Sequence, residues 1–199
     1  MNTDRCAVLI LAAGSSSRMG RPKQLLPWGS QTLLQNAVNN ANASRCDEAV
    51  VVLGANADII RNSLQPGTVS VVNTDWENGM GSSIARGMQF LSKKETPFEV
   101  VLIMLGDQPF IDADYLNNVR STFQGSQKNI VATDYGNRAG VPALFGSKYF
   151  EQLSELNSEY GAKELLAENM ADIHLLKAGV KTADIDTEAD YSRLNHLNT

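Results

Sequence analysis

Glycine, hydroxyls and cations crowd into one segment, LAAGSSSRMGRPKQLLPW, running from Leu11 to Trp28 directly after an apolar stretch. Gly14 and Gly20 let the backbone turn sharply and approach a ligand. Ser15, Ser16 and Ser17 add hydroxyl and backbone donors that suit an anion. Arg18 offers phosphate oxygens a planar fork and Lys23 a point charge. A triphosphate is the ligand this combination fits best. The spacing matches neither a Walker A loop nor GxGxxG, since five residues separate Gly14 from Gly20 and Arg21 follows. A Gly/Ser-rich loop on its own is more often a plain connector, so the reading rests on the whole string.

A second chemical centre lies in VVLIMLGDQPFID, where a hydrophobic run ends in Gly106, Asp107, Gln108 and Pro109. Gly106 permits a turn, Asp107 projects a carboxylate and Pro109 stiffens the exit. A magnesium ion on a nucleotide keeps several waters and takes only one or two protein carboxylates, so a single Asp is enough to begin a site. In DIDT, Asp184 and Asp186 alternate along an extended segment and therefore face the same side. The stretch NTDWENGMGSSIARG opens a helix with Gly79, Gly81, Ser82 and Ser83. Helix starts expose N–H groups that bind anions or carbonyls, but Ser82 serves equally well as an ordinary cap. His174 and His196 both fall late in the chain, away from every motif, and are expected to be surface or strand-end residues. Cys6 and Cys46 have no CxxC spacing and no neighbouring histidine, which argues against zinc or a disulfide scaffold.

These groups need a scaffold. Short β-branched runs alternate with stretches of helical periodicity, the pattern of a mainly parallel sheet covered by helices. Strands are expected at Ala7 to Leu11, Ala49 to Leu53, Val69 to Val72, Val100 to Leu105 and Ile130 to Thr133. Helices are expected at Leu33 to Ala43, Ala57 to Leu64, Ser82 to Leu91 and Asp114 to Phe123. Ile84, Met88 and Leu91 share one face of the third helix; Leu116, Val119 and Phe123 share one face of the fourth. Beyond Thr133 the regularity weakens. GVPALF reads as an extended segment interrupted by Pro142, followed by helical stretches around Lys148 to Leu156 and Ala162 to Glu168, then a strand at Ile173 to Leu176. Thr187 and Asp190 signal a terminal helix whose Tyr191 and Leu194 return to the core. In an open parallel sheet the ligand sits at the carboxyl ends of the strands, where the glycine loop falls.

The chain has 199 residues, 43% hydrophobic and 20% charged, with 17 Lys and Arg against 22 Asp and Glu, a net charge of −5. That length and composition fit one folded domain spanning 1–199, with no repeat or long linker. The acidic balance argues against a nucleic-acid or anionic-membrane surface. The apolar run from Cys6 to Ala13 is too short for a membrane span and lacks a signal-peptide pattern, so a cytoplasmic location is expected.

The string LAAG, RMG, K, LLP, together with NTDWENGMGSS, LGDQPFI, GVPALF and DIDT, closely resembles the signature of molybdenum cofactor nucleotidyltransferases, and most nearly their cytidylyltransferase branch. The resemblance covers essentially the whole chain. It implies an α/β fold, a Rossmann-like three-layer sandwich of the nucleotide-diphospho-sugar transferase type. It implies transfer of CMP from CTP to the terminal phosphate of molybdopterin or molybdenum cofactor, with Mg²⁺ as cofactor, a pyrophosphate product and a molybdoenzyme as a possible partner. Position by position, Ala12, Ala13 and Gly14 would border base and sugar, and Arg18 and Lys23 would hold phosphates. Gly81 and Ser82 would contact the nucleotide, and Asp107 and Asp186 would bind the metal, with Asp184 either supporting Asp186 or solvated. LAAG favours cytidine over guanosine, whose branch typically carries LAGG. Asp75 and Trp76 would border the acceptor, Trp76 serving equally well as a packing residue, and Gly161 resembles a family glycine that a plain helix start explains as well. Two departures stand out: Val141 precedes the proline where a polar residue is usual, and TEAD follows DID where TPED is usual. The rival expectations are a GTP-using or sugar-phosphate nucleotidyltransferase, a noncatalytic cofactor carrier and, disfavoured by the absent GxGxxG, a nicotinamide-dependent oxidoreductase.

Overall fold

The computed structural model describes residues 4–198. In chain order the strands are β1 (Cys6–Ala12), β2 (Pro27–Trp28), β3 (Gln31–Thr32), β4 (Glu48–Leu53), β5 (Val69–Val72), β6 (Val100–Leu105), β7 (Ile130–Asp134), β8 (Ala139–Gly146) and β9 (Ile173–Lys177). The α-helices are α1 (Leu33–Ala43), α2 (Ala57–Ser63), α3 (Met80–Leu91), α4 (Ala113–Gln124), α5 (Phe150–Ser154), α6 (Lys163–Glu168) and α7 (Glu188–Asn195). Seven strands form one sheet in the order β5-β4-β1-β6-β8-β7-β9, and β2 and β3 form a separate hairpin.

Two-residue periodicity explains why the sheet is covered on both sides. Along β1, Ala7, Leu9 and Leu11 point into one core with Ile84, Met88 and Leu91 of α3 and Leu165 and Leu166 of α6. Cys6, Val8, Ile10 and Ala12 point into the other, with Leu34, Ala37 and Val38 of α1, Ile60 of α2 and Leu116 and Val119 of α4. Each fully buried aliphatic side chain contributes roughly 1.5–3 kcal/mol, so the interleaved faces, more than helix propensity, hold the three layers together.

Most of the expected elements form, and the departure lies at GVPALF. It becomes a strand, β8, inserted antiparallel between β6 and β7, so the sheet is mixed. A proline cannot donate to a ladder and inside a sheet needs a bulge. The register supplies one: Ala132 faces Ala143, but Thr133 faces Gly140, leaving Val141 and Pro142 outside the pairing. Pairing of β6 with β8 also ends at Ile103↔Ala143, before the carboxyl end of β6. The bulge thereby leaves space beside the residues that follow β6.

Candidate active site

The chain crosses from β1 to β4 and β5 on one side and then to β6 on the other, and such a reversal creates a crevice at the strand ends. A cleft of about 710 Å³ lies there, lined along its floor by Leu11–Ser15 and by Leu105, Gly106 and Asp107. A second hollow of about 310 Å³, bounded by Gly14, Ser16, Ser17, Arg18, Lys23 and Asp186, continues at the same loop.

The loop after β1 is braced from within. Ser16 adopts a left-handed backbone (φ 57°), uncommon for a residue with a side chain. Its hydroxyl accepts from the Lys23 N–H at 3.1 Å and donates to Gln24 Oε1 at 3.3 Å. Gln24 is buried, and its amide donates to the carbonyls of Ala12 (3.0 Å) and Gly14 (3.1 Å). Sequence reasoning passed over Gln24; its signal was only its place directly after Lys23. Gly14 has no neighbour within 4 Å of where a Cβ would stand, so its backbone faces open space.

Lys23 meets both expected metal carboxylates. Its Nζ is 2.5 Å from Asp107 Oδ2 and 2.8 Å from Asp186 Oδ1. The Lys23 and Asp107 side chains are only 16% and 17% exposed. Burial alone would depress the ammonium, but the charges and hydrogen bonds of Asp107 and Asp186 outweigh it and raise its pKa. Arg18 is 75% exposed and reaches Asp186 only at 3.8 Å. Lys23 is thus the buried, doubly paired cation and Arg18 the exposed one.

The segment carrying Asp184 and Asp186 is pinned at three points. The Ile185 N–H donates to the Asp107 carbonyl at 3.1 Å, and the Gln108 amide donates to Asp184 Oδ1 at 2.8 Å. Immediately afterwards, Thr187 and Asp190 form a reciprocal capping box at the start of α7. The usual proline is therefore dispensable here. Ile185 is fully buried with Met19, Trp28 and Leu194, while Asp184 and Asp186 on either side of it line the cleft, as alternation requires. Burial, then the negative charges of Asp107 and Asp186, push Asp184 up to about 6, against the Gln108 hydrogen bond. Gln108 also donates to the Tyr135 hydroxyl at 2.9 Å, which in turn donates to the Val141 carbonyl at 2.6 Å. Burial pushes Tyr135 up to about 12, which keeps it a neutral donor.

The structure does not bring Gly81 and Ser82 onto the cleft wall; Gly79, Met80 and Ser83 line it instead. A Cβ on Gly81 would lie 2.5 Å from Ser158 N, and the Gly81 N–H is spent on the Ser158 carbonyl at 2.8 Å. The Met80 N–H is likewise taken by the Glu159 carbonyl. The Ser82 hydroxyl donates to Gly79 and Asp75 carbonyls and accepts from Asn73. The Met80 and Gly81 N–H groups are thus consumed by a loop remote in the chain, Ser158 lying 77 residues beyond Gly81, a pairing the local sequence does not announce. Trp76 lines the cleft, whereas Asp75 does not. Gly161 takes a left-handed φ of 65° ahead of α6. Neither His174 nor His196 lines the cleft.

The far wall combines rings with cations. Arg138 lies over the Tyr135 ring at 4.9 Å and Lys163 over the Tyr160 ring at 5.1 Å. All four line the cleft, as do the carboxylates Glu77 and Glu159.

Asp107 and Asp186 suit a small divalent cation by chemistry. Both are hard oxygen donors that meet at the Lys23 ammonium, and Asp107 Oδ1 is buried with no hydrogen-bond partner. Among the described residues no group of three or more His, Cys, Asp or Glu side chains forms a closed metal cage. An ion held by one or two carboxylates, with phosphates and water completing its shell, fits that donor set.

A mixed α/β sheet with a nucleotide-sized crevice at its switch point, walled by a glycine loop and two acids, defines a nucleotide-handling protein of the three-layer type. The match to the MobA-like NTP transferase domain spans residues 8–173, and the chain belongs to that family. A crystal structure of the Mycobacterium tuberculosis Rv0371c homolog from Mycobacterium sp. strain JC1 is 30% identical, with a TM-score of 0.84 over 98% of this chain and 96% of that one. Rv0371C from M. tuberculosis H37Rv, solved in complex with manganese, is 27% identical with a TM-score of 0.79, covering 96% of this chain and 98% of that one. The nicotine blue oxidoreductase of Paenarthrobacter nicotinovorans is 42% identical over 104 residues, 51% of this chain. The match covers only 48% of that relative's length. Among the described residues no helix is long and apolar enough to cross a membrane.

Proposed function

We propose that the chain is a single-domain cytidylyltransferase that joins CMP from CTP to the terminal phosphate of molybdopterin or molybdenum cofactor and releases pyrophosphate. The observation that carries this reading is the meeting of Lys23, Asp107 and Asp186, drawn from three distant segments, at the phosphate end of a cleft floored by Ala12, Ala13 and Gly14. The family match and the LAAG string support nucleotide transfer and the cytidine base respectively. The rings and cations of Tyr135, Arg138, Tyr160 and Lys163 suit a flat, anionic acceptor.

The acceptor phosphate attacks the α-phosphorus in line with the departing pyrophosphate. With a second ionisation near pH 6, a phosphate monoester is already largely dianionic at neutral pH and needs no protein base. The barrier is accumulated negative charge. Lys23 lies at the phosphate end and would turn its ammonium from the two carboxylates to the phosphates, and the exposed Arg18 would add a second cation. Gln24, steadied by the Ser16 hydroxyl, holds the Ala12 and Gly14 carbonyls away from the phosphates. Asp107 and Asp186 would hold Mg²⁺, which when bound neutralises phosphate charge and orients the leaving group. The manganese complex of the M. tuberculosis relative supports divalent-metal use.

The test is pyrophosphate release from CTP or GTP, with and without molybdopterin. Turnover with CTP and acceptor is expected, and Asp107→Asn should lower it at least about a hundredfold while the fold is kept. Activity with GTP alone would overturn the base assignment. A second reading has a specific basis in the segment 42% identical to nicotine blue oxidoreductase. Oxidation of NADH or NADPH by the purified chain, with no nucleotidyl transfer, would favour that class. A cofactor carrier handing product to a molybdoenzyme would instead bind molybdopterin without any turnover.

A further inference from the structure

The two cysteines meet at the end of the sheet opposite the cleft. Cys6 opens β1 and is fully buried, whereas Cys46 is half-buried in the short loop between α1 and β4. A backbone clamp fixes this loop to the strand: the Cys6 N–H donates to Asp47 Oδ2 at 2.7 Å, and the Asp47 N–H donates to the Cys6 carbonyl at 2.8 Å. The loop folds Cys46 onto the apolar cluster that contains Cys6. Arg120, anchored on the Asp4 carbonyl at 2.8 Å and 3.9 Å from Asp47 Oδ2, brings a guanidinium to the same corner.

We propose that these residues form a hydroperoxide-reactive dithiol in which Cys46 attacks and Cys6 resolves. Exposure divides the roles, since Cys46 is half-buried and Cys6 fully buried. The Cys6 contact favours the Cys46 thiolate, assisted by Ser44 and Arg120 and opposed by burial and Asp47. Contact with Cys46 and then burial push the Cys6 thiol upward. The thiolate is the nucleophile, so a partly accessible sulfur beside a cation reacts first.

Taking hydrogen peroxide as oxidant, the Cys46 sulfur attacks one oxygen, an S–O bond forms and the O–O bond breaks. The departing hydroxide takes the thiol proton and leaves as water, so peroxide is reduced and Cys46 becomes a sulfenic acid. The Cys6 sulfur then attacks the Cys46 sulfur. An S–S bond forms, the S–O bond breaks, and the hydroxyl leaves with the Cys6 proton as a second water. The chain contains no third cysteine to compete. The crosslink lies at the far end of β1 from Ala12, so it changes the thiol count without consuming a cleft residue.

The reduced full chain is treated with hydrogen peroxide, its thiols are titrated and its peptides are mapped without reduction. The wild-type chain should lose both thiols and yield an intramolecular Cys6–Cys46 peptide that dithiothreitol reverses. Cys6→Ala should accumulate a dimedone-trapped sulfenic acid on Cys46. Cys46→Ser should lose its remaining thiol about tenfold more slowly than the wild-type chain. Retained thiols, an intermolecular link, over-oxidised Cys46 without a crosslink, or a Cys46→Ser variant as reactive as the wild type would each overturn the proposal. The wild-type peptide map decides even if the Cys6 variant does not fold.

Discussion

Replacing Gly14 by alanine should separate folding from ligand binding. The Gly14 φ lies outside the left-handed region, and no atom stands within 4 Å of the added Cβ. The methyl therefore meets no protein, while alanine restricts the unfolded chain and should stabilise by about 0.4–1 kcal/mol. For a chain of this size that raises the Tm by about 1–4 °C. A nucleotide seated on the loop would meet the methyl where it now meets bare backbone, so its affinity should fall at least about tenfold, or about 1.4 kcal/mol. Gly20 is the control. Its Cβ would also meet open space, but its φ is +64°, and alanine there costs about 1–2 kcal/mol, lowering the Tm by about 2–8 °C. Gly20 does not line either hollow, so its effect on affinity should be the smaller. Thermal melts and calorimetric titration with CTP and Mg²⁺ read both quantities. A Gly14→Ala chain that melts lower, or binds CTP as tightly as the wild type, would refute the assignment of this backbone to the ligand.

Gln24→Met keeps the side chain's bulk but orphans the Ala12 and Gly14 carbonyls; a loss of about 1–3 kcal/mol should appear in denaturant melts, with a raised KM for nucleotide. Lys23→Met leaves two carboxylates facing each other at the cleft, so stability should fall by about 1–3 kcal/mol, below the full cost for a buried pair because Asp186 is half exposed. Arg18→Ala should change stability by less than about 0.5 kcal/mol, its pair being exposed, while still weakening CTP binding in the same titration. Away from the site, hydrogen bonds from Lys148, outweighing burial, and from Asn129 and Tyr149 hold Asp172 well below the usual carboxylate range. Its contribution is fully present above the unfolded carboxylate pKa, about 4, and is lost as the pH falls through the lower folded value. Asp172→Asn should therefore lower the Tm near neutrality and flatten its acid-side pH dependence, with only a small amplitude because the group is near solvent.

How legible the fold was depended on whether its cause was local. Continuous β-branched runs mark β1, β4 and β6 because both faces of each are buried, and apolar spacing marks α3 and α4. The antiparallel β8 was hidden by Pro142, whose missing donor reads as a break until a bulge in its partner register accommodates it. The site divides the same way. Asp107 stands out as a carboxylate just beyond an apolar run and Lys23 as a cation of the glycine-rich loop, whereas Asp186 was singled out by the resemblance of its DIDT motif. Gly81 reads as a free helix-start donor because the loop that consumes its N–H, at Ser158, is remote in sequence, whereas the Ser82 hydroxyl is taken by the nearby Asn73, Asp75 and Gly79. Gln24 carried no compositional signal, since a neutral amide beside a lysine is unremarkable until its two carbonyl acceptors are in view.

The acid pair illustrates how a distant residue is brought into register. Asp186 has an exposed side chain and would wander if its backbone were free. Ile185 is buried among Met19, Trp28 and Leu194, its N–H is bonded to the carbonyl of Asp107 itself, and the Thr187–Asp190 box starts α7 one residue beyond Asp186. The spacing between the carboxylates is therefore set by main-chain bonds and a buried apolar side chain, neither of which changes charge when a ligand arrives. Lys23 is placed by different means, through the Ser16 hydroxyl at its own N–H. Loop and acid strap can consequently be perturbed independently: weakening the capping box should displace Asp186 while leaving the phosphate loop intact, and weakening Gln24 should do the reverse.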